Sequence, residues 1–95
     1  MEDAGAFAVV LEMVPSDVAA RVTKELRIPT IGVGAGPHVD GQLLVWTDWA
    51  GFTTGRIPKF VKRYANLSGV LTDAVKSYRE DVADGKYPAP EHEYE

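Results

Sequence analysis

One nearly unbroken apolar run, residues 6–14, limits what this chain can fold into more than any other feature of its sequence. A β-strand that is covered on both faces has this pattern, as in parallel sheets. A buried helix is the alternative, but the run is short and Pro15 ends it. In a strand, alternation gives one bulky apolar face, which we expect to meet helices, and one small face with a single carboxylate. The bulky face holds Phe7, Val9, Leu11 and Met13, and the small face holds Ala8, Val10, Glu12 and Val14.

The residues after this run continue in a strand–helix rhythm. Ser16 stands where a helix N-cap belongs, Asp17 favours the first turn, and Pro29 prevents continuation of the helix. Units of this kind build parallel sheets with right-handed crossovers, so the predicted fold class is α/β. The predicted elements are a helix over 16–27, a second strand over 28–33, a glycine-dense loop over 34–41 and a third strand over 43–47.

Two helices are predicted in the C-terminal half, one opened by Pro58 and one from about Val70 to Ala83. Residues 86–95 are acidic and contain proline, and we expect them to form an extended arm after a barrel portion over 1–85. Residues 1–6 resemble the last turn of a helix closed by Gly5, so we expect part of the domain to lie upstream. The apolar positions at helical spacing are Phe60, Val61, Tyr64 and Leu67 in the first helix and Leu71, Ala74, Val75, Tyr78 and Val82 in the second.

The composition excludes several classes of function. With 95 residues the chain is at most one small domain, and its net charge of −4 argues against a binder of nucleic-acid backbones. The absence of cysteine excludes disulfides, thiolate metal sites and thiol chemistry. No apolar run reaches the roughly 18 residues of a membrane span, and no leader is evident, so we expect no membrane partner and a cytosolic location.

The glycine-dense loop does not match a nucleotide-binding motif. A dinucleotide fingerprint starting at Gly32 would need a glycine where Pro37 stands, and one starting at Gly34 would need it where Val39 stands. We therefore interpret the glycines as a tight turn at a strand end. His38 and Asp40 have the spacing of a metal-ligand pair, but two ligands do not make a site.

Other chemistry-bearing residues have simpler interpretations. Trp46 and Trp49 are interpreted as packing residues, because no basic patch accompanies them. The positive charges at Lys59, Lys62 and Arg63 are interpreted as the solvated face of an amphipathic helix, and His92 as part of a polar tail.

Glu12 differs from these residues, because it lies near the carboxyl end of a strand whose neighbours are apolar. Such a carboxylate must be paired, hydrogen-bonded, close to solvent or altered by desolvation. In α/β sheets and barrels the carboxyl ends of strands carry the chemistry. The residues alone leave two roles open for Glu12, a general base and a structural ion pair.

Five separate segments of the sequence occur in an order typical of one enzyme family: Val9–Pro15, Ile28–Gly36, Asp40–Val45, Ile57–Lys62 and Tyr87–His92. They resemble the C-terminal part of ketopantoate hydroxymethyltransferase, also called 3-methyl-2-oxobutanoate hydroxymethyltransferase. The resemblance covers essentially the whole chain. It implies the last three βα units of a (β/α)8 TIM barrel, with the other units absent from this sequence.

The resemblance also implies an enzyme, its substrates and its site. This family transfers a hydroxymethyl group from 5,10-methylenetetrahydrofolate to 3-methyl-2-oxobutanoate, giving 2-dehydropantoate for pantothenate and coenzyme A biosynthesis. Glu12 matches the general base, which removes a proton from the Mg²⁺-chelated keto acid. Leu43 and Val45, with Val33, match residues lining the branched end of the substrate. The resemblance places the magnesium ligands on earlier strands, outside this sequence, and implies a homo-oligomer, a decamer in the best-known branch.

Two other interpretations stay open at this stage. One is a partial barrel that acts only as a packing or interaction unit, because strands buried on both faces leave sheet edges that need cover. The other is a relative from the wider group of phosphoenolpyruvate-utilising barrels that acts on another 2-keto acid. If the resemblance to ketopantoate hydroxymethyltransferase holds, we expect no turnover from the 95-residue chain alone, because a lone carboxylate does not stabilise an enolate without the magnesium ion.

Overall fold

The computed structural model describes residues 1–95, with a parallel sheet in the N-terminal half and a long helix in the C-terminal half. Strand, helix and strand alternate along the chain as far as Val33, a third strand follows without an intervening helix, and a long irregular segment separates the second and third helices. The strands are β1 (Val9–Glu12), β2 (Thr30–Val33) and β3 (Gly41–Gln42); the helices are α1 (Ser16–Glu25), α2 (Trp46–Trp49) and α3 (Leu67–Ala83); and 3₁₀ turns span Glu2–Ala4 and Pro90–His92.

The three strands form one parallel sheet in the order β1-β2-β3, which confirms the α/β prediction. Val9 pairs with Thr30 and Glu12 with Val33, while Ile31 pairs with Gly41. Paired residues in a parallel ladder point to the same side of the sheet. The register therefore defines two faces, and every strand residue can be assigned to one of them.

Helix α1 covers one of these faces. The hydroxyl oxygens of Thr23 in α1 and Thr30 in β2 lie 2.8 Å apart, and Val9, the partner of Thr30, is buried along with Ala19 of α1. This agrees with the prediction that the face of Val9 meets a helix. On the other face Val10 is 59% exposed, so that face is open. We call it the open face; it carries Val10, Glu12, Ile31, Val33 and Gly41.

The predicted third strand was placed too late in the chain. Only Gly41 and Gln42 form β3, although the amide of Leu43 still donates to the Gly32 carbonyl at 2.9 Å. Residues 43–45 are irregular, and Trp46–Trp49 turn into the short helix α2 instead of continuing the strand. Residues 43–47 were predicted to form a strand because periodicity does not distinguish a short buried strand from a short helix.

The helix predicted from Pro58 does not form. The amides of Tyr64 and Ala65 donate to the Trp49 carbonyl at 2.7 and 3.2 Å, and Leu67 donates to Ala50 at 2.9 Å. These long-range bonds use the donors that a local helix would need. Helix α3 begins at Leu67, earlier than predicted, and the Asn66 side chain caps it by accepting from the Gly69 amide at 3.2 Å.

Helix α3 stands away from the sheet. The radius of gyration is 22.2 Å, whereas about 12 Å is typical of a compact chain of this length. The apolar positions of α3 that sequence periodicity identified are exposed, with Val75 at 64%. Residues 86–95 turn back at its C-terminal end, where the rings of Tyr87 and Tyr78 lie 5.5 Å apart. No helix here is both apolar enough and long enough for a membrane span.

Candidate functional site

Glu12 is the last residue of β1 and lies on the open face of the sheet, opposite α1. It pairs with Val33, the last residue of β2, so both side chains emerge at the carboxyl edge of the sheet. Glu12 is exposed, which corresponds to the near-solvent alternative for a carboxylate at this position. The geometry leaves this carboxylate free to approach a ligand at the edge where α/β folds carry their chemistry.

The residues expected to line the substrate occupy the same edge to different extents. Leu43 follows β3 by one residue and, through its bond to Gly32, keeps the alternation that places it on the face of Val33. Val45 lies two residues further on, directly before α2, and is 49% exposed. The structure thus brings Glu12, Val33 and Leu43 to one edge, whereas Val45 belongs to the segment leading away from it.

The chain turns sharply at this edge after both β1 and β2. Met13, directly after Glu12, has a φ of 54°, an unusual value for a residue with a side chain, and its amide donates to the Val33 carbonyl at 2.9 Å. Gly34 and Gly36 have φ values of 68° and 81°, which confirms the prediction of a tight glycine turn. A Cβ at Gly36 would overlap the side chain of Ser16, so the loop lies directly against the start of α1.

A wide groove opens from these turns. One wall contains Met13, Leu43 and the 34–36 loop, and the other is the irregular segment 56–64. A Cβ built at Gly34 would lie 2.7 Å from Cδ2 of Phe60, so the Phe60 ring rests on the loop. The groove has a volume of about 1580 Å³, which is larger than the about 300–1,000 Å³ of an ordinary small-molecule pocket, and it is open to solvent.

Sequence reasoning missed this groove. Arg56, Lys59 and Lys62 line it, together with Trp49 and Tyr64, yet the lysines had been interpreted as a helix face and Trp49 as packing. The signal was present in the cluster of positive charges that follows two tryptophans. Whether these positive side chains line a groove or a helix face depends on the path of segment 56–64, which the backbone hydrogen bonds to Trp49 and Ala50 determine.

Asp40 forms hydrogen bonds to Thr30 of the sheet. Its carboxylate oxygen Oδ2 accepts from the Thr30 amide at 2.9 Å and from the Thr30 hydroxyl at 3.3 Å, while the Asp40 amide donates to that hydroxyl at 3.2 Å. His38 is exposed, and no group of three or more His, Asp or Glu side chains comes together. The residues of this chain therefore do not fit a magnesium site.

Residues 1–90 match the model of the protein family described as ketopantoate hydroxymethyltransferase. The chain belongs to this family. A relative from Leifsonia xyli subsp. xyli, named 3-methyl-2-oxobutanoate hydroxymethyltransferase, is 73% identical over 94 residues, which are 99% of this chain and 34% of the relative.

Other relatives carry the same name. The protein from Frankia casuarinae is 63% identical over 94 residues, 99% of this chain and 32% of the relative. The protein from Streptomyces coelicolor is 62% identical over 92 residues, 97% of this chain and 32% of the relative. The chain thus spans about a third of the length of the curated relatives it matches. These relatives are named as enzymes that transfer a hydroxymethyl group, and the parallel sheet is consistent with part of a barrel.

Proposed function

We propose that this chain supplies the general base for hydroxymethyl transfer from 5,10-methylenetetrahydrofolate to 3-methyl-2-oxobutanoate. The product is 2-dehydropantoate, a precursor of pantothenate and coenzyme A. The observation that carries the proposal is the position of Glu12, which ends a parallel strand on the face opposite the covering helix. In a closed barrel that face is the interior, because the helices lie outside.

The chemistry assigned to Glu12 is removal of the proton from C3 of the keto acid. The electron pair of that C–H bond becomes the enolate. The enolate attacks the carbon of formaldehyde, which is released when water cleaves both C–N bonds of the methylene bridge and leaves tetrahydrofolate, and the resulting alkoxide takes up a proton to give the hydroxymethyl group. Val33 and Leu43, which lie at the same edge as Glu12, contact the branched end of the keto acid in this proposal, whereas the role of Val45, in the segment leading away from that edge, stays a prediction. We assign no metal ligand to this chain, and the homo-oligomeric assembly, the cytosolic location and the division into 1–85 and 86–95 stay predictions.

The test uses a full-length chimera, because the chain spans a third of its relatives. The matching 94 residues of the Leifsonia xyli relative are replaced by this chain, and exchange of the C3 proton of 3-methyl-2-oxobutanoate is followed by NMR in D₂O without folate. Loss of a general base costs about 10²–10⁴-fold in rate, so Glu12→Gln is expected to lower the exchange rate by at least about 100-fold.

The matched control is Glu25→Gln, which changes an exposed carboxylate on α1, on the covered side of the sheet. The control is expected to exchange at the rate of the unchanged chimera, and both variants are expected to retain binding of the keto acid. Unchanged exchange in Glu12→Gln would remove Glu12 from the role of base.

A second candidate function is that of a packing or interaction unit without catalysis. The exposed apolar stripe of α3 favours it, because large apolar patches on soluble proteins mark interaction sites. The two functions are compatible in one chain, since the stripe lies on α3 and Glu12 on the sheet.

A further inference from the structure

Met13, the residue directly after Glu12, has an unusual backbone conformation. Its φ of 54° lies in the left-handed region, and every other positive φ in the chain belongs to a glycine. A left-handed φ crowds the Cβ atom against the following carbonyl and is costly in any residue with a side chain. The Met13 side chain is 66% exposed, so its packing does not offset this cost. A strained residue beside a candidate base suggests that the conformation itself serves the site.

The short connection from β1 to α1 places the change of direction at Met13. Three residues, 13–15, join the end of β1 at Glu12 to the start of α1 at Ser16. The ring of Pro15 fixes its φ, which is −53°, and the residue before a proline is restricted to extended conformations. Met13 is therefore the position in this connection at which the chain can turn.

Contacts on both sides hold the turn at Met13 in place. The Met13 amide donates to the Val33 carbonyl at 2.9 Å, which extends the pairing of β1 with β2 one residue beyond Glu12. On the other side, a Cβ at Gly36 would overlap Ser16, so the start of α1 lies against the loop that follows β2. The turn is thus fixed between the sheet and α1, and its strain is not relieved by movement of either end.

The turn determines what lies next to Glu12 on the open face. If residue 13 were extended, β1 would continue, and by alternation Val14 would follow Glu12 on the open face, roughly 7 Å further along. In the structure Val14 lines the groove beside the sheet edge instead. β2 ends in the same way, because Gly34, with a φ of 68°, follows the partner of Glu12 as Met13 follows Glu12. Glu12 is therefore the last side chain of its strand on the open face.

We propose that Met13 is a positioning residue for the general base: its left-handed conformation ends β1 at Glu12 and keeps the carboxylate accessible to the keto acid. This inference rests on the proposed function, in which Glu12 removes the C3 proton. It adds a residue that acts through Glu12 without touching the reacting atoms, and it assigns that role to the backbone of Met13. Substitutions at position 13 are therefore ordered by their tolerance of a left-handed φ, and not by their size.

The test compares Met13→Leu with Met13→Ile in the full-length chimera, by the same exchange of the C3 proton in D₂O. Leucine and isoleucine are apolar isomers, but only isoleucine is branched at Cβ, which makes a left-handed φ a genuine outlier. Because a misplacement of about 1 Å costs about 100-fold in rate, Met13→Ile is expected to lower the exchange rate at saturating keto acid by at least about tenfold. Met13→Leu is expected to change that rate by less than about threefold, since leucine is unbranched at Cβ like methionine.

A kinetic readout separates positioning from a loss of binding. The keto acid concentration that gives half the maximal exchange rate is expected to stay within about twofold in Met13→Ile, because only the reacting step is impaired. Met13→Ile combined with Glu12→Gln is expected to exchange no more slowly than Glu12→Gln alone, since a positioning residue acts only through the base.

Two further variants complete the comparison. Met13→Gly adopts a left-handed φ without strain, so it is expected to keep the exchange rate within about threefold although it has no side chain. The matched control is Leu26→Ile, at the extended position after α1 with a φ of −85°, where branching at Cβ is tolerated. This control is expected to exchange at the rate of the unchanged chimera.

Specific results would overturn the inference. Equal exchange rates in Met13→Leu and Met13→Ile would show that the conformation of residue 13 does not affect the base. A loss in Met13→Gly as large as in Met13→Ile would assign the effect to the side chain. A raised half-saturating concentration in Met13→Ile, or a further loss when it is added to Glu12→Gln, would show a role in the fold or in binding. Failure of the proposed function is detected separately, as unchanged exchange in Glu12→Gln alone.

Discussion

The carboxylate of Asp40 takes the place of a missing strand partner, and its removal has a calculable cost. On the β1 side of β2 the ladder is complete, but β3 begins only at Gly41, so the Thr30 amide has no strand partner on the other side. The Asp40 Oδ2 atom accepts from that amide at 2.9 Å, and Thr30 is fully buried. Asp40→Ala leaves a buried donor unpaired, which costs about 1–3 kcal/mol.

This cost is measured by hydrogen exchange of the Thr30 amide in the chimera, detected by mass spectrometry on peptides that contain β2. Since about 1.4 kcal/mol corresponds to a factor of ten, Asp40→Ala is expected to accelerate exchange about 5- to 150-fold. Asp40→Asn retains an acceptor oxygen and loses only the contribution of the charge, so its effect is expected to stay under about tenfold.

The control is Asp73→Ala, which removes an exposed carboxylate from α3 and is expected to leave exchange at Thr30 unchanged. If Asp40→Ala exchanges at the unchanged rate, the Asp40 carboxylate does not complete the hydrogen bonding of β2. If the Asp73→Ala control accelerates exchange to the same extent, the effect is general destabilisation, and the assignment to the Thr30 amide is refuted.

Two further predictions concern the glycine loop and α3. Gly36→Ala adds a Cβ that overlaps Ser16 at a left-handed φ, whereas Gly55→Ala adds one in open space at a similar φ of 85°. In both variants the left-handed backbone lowers the stability by about 1–2 kcal/mol. Because only Gly36→Ala also causes a steric overlap, calorimetry of the chimera is expected to show a larger fall in Tm for Gly36→Ala than for Gly55→Ala. Equal falls in Tm would contradict the close approach of the loop to Ser16. The isolated chain is expected to form an oligomer through the exposed apolar stripe of α3, which a sizing column would detect. Val75→Lys is expected to reduce the size of this oligomer. An unchanged elution volume in the variant would show that the stripe does not mediate association.

The sheet could be predicted from the sequence because its signals are local. The apolar run before Pro15 and the cap and first turn at Ser16 and Asp17 each act over a few residues. The structure confirms β1, α1, β2 and their parallel pairing. The prediction of an N-cap at Ser16 is wrong by one residue, because Ser16 is the first residue of α1, Pro15 occupies the N-cap position and no side chain caps the helix.

The C-terminal half was harder to predict because distant backbone bonds determine it. Leu43–Thr47 has the composition of a strand, and the segment after Pro58 has helical spacing. In the structure the Trp49 carbonyl accepts from Tyr64 and Ala65, which uses amides that the predicted helix would need, while Trp46–Trp49 form α2 in place of the end of the predicted strand. Local propensity is outweighed by tertiary contacts in such cases.

The same difference applies to the site. The position of Glu12 near the end of a strand could be predicted because it follows from local alternation, which the register preserves, whereas its role as a base stays a prediction. The groove was not identified, because its cations come from segment 56–64, whose path depends on bonds to α2 and the residue after it. The place of a strand-end residue is thus predictable from one sequence, whereas a groove wall built by an irregular segment requires the structure.

The open face of the sheet explains why the position of Glu12 is necessary for the proposed chemistry but insufficient for it. Val10 and Leu43 are exposed there around the carboxylate, so this face is apolar and in contact with water. An enolate forms more readily where a closed site excludes water and fixed charges oppose it. Because α1 covers only the other face, this exclusion must come from groups that pack onto the open face. The 95-residue chain by itself is therefore expected to hold the base in position without turning over substrate.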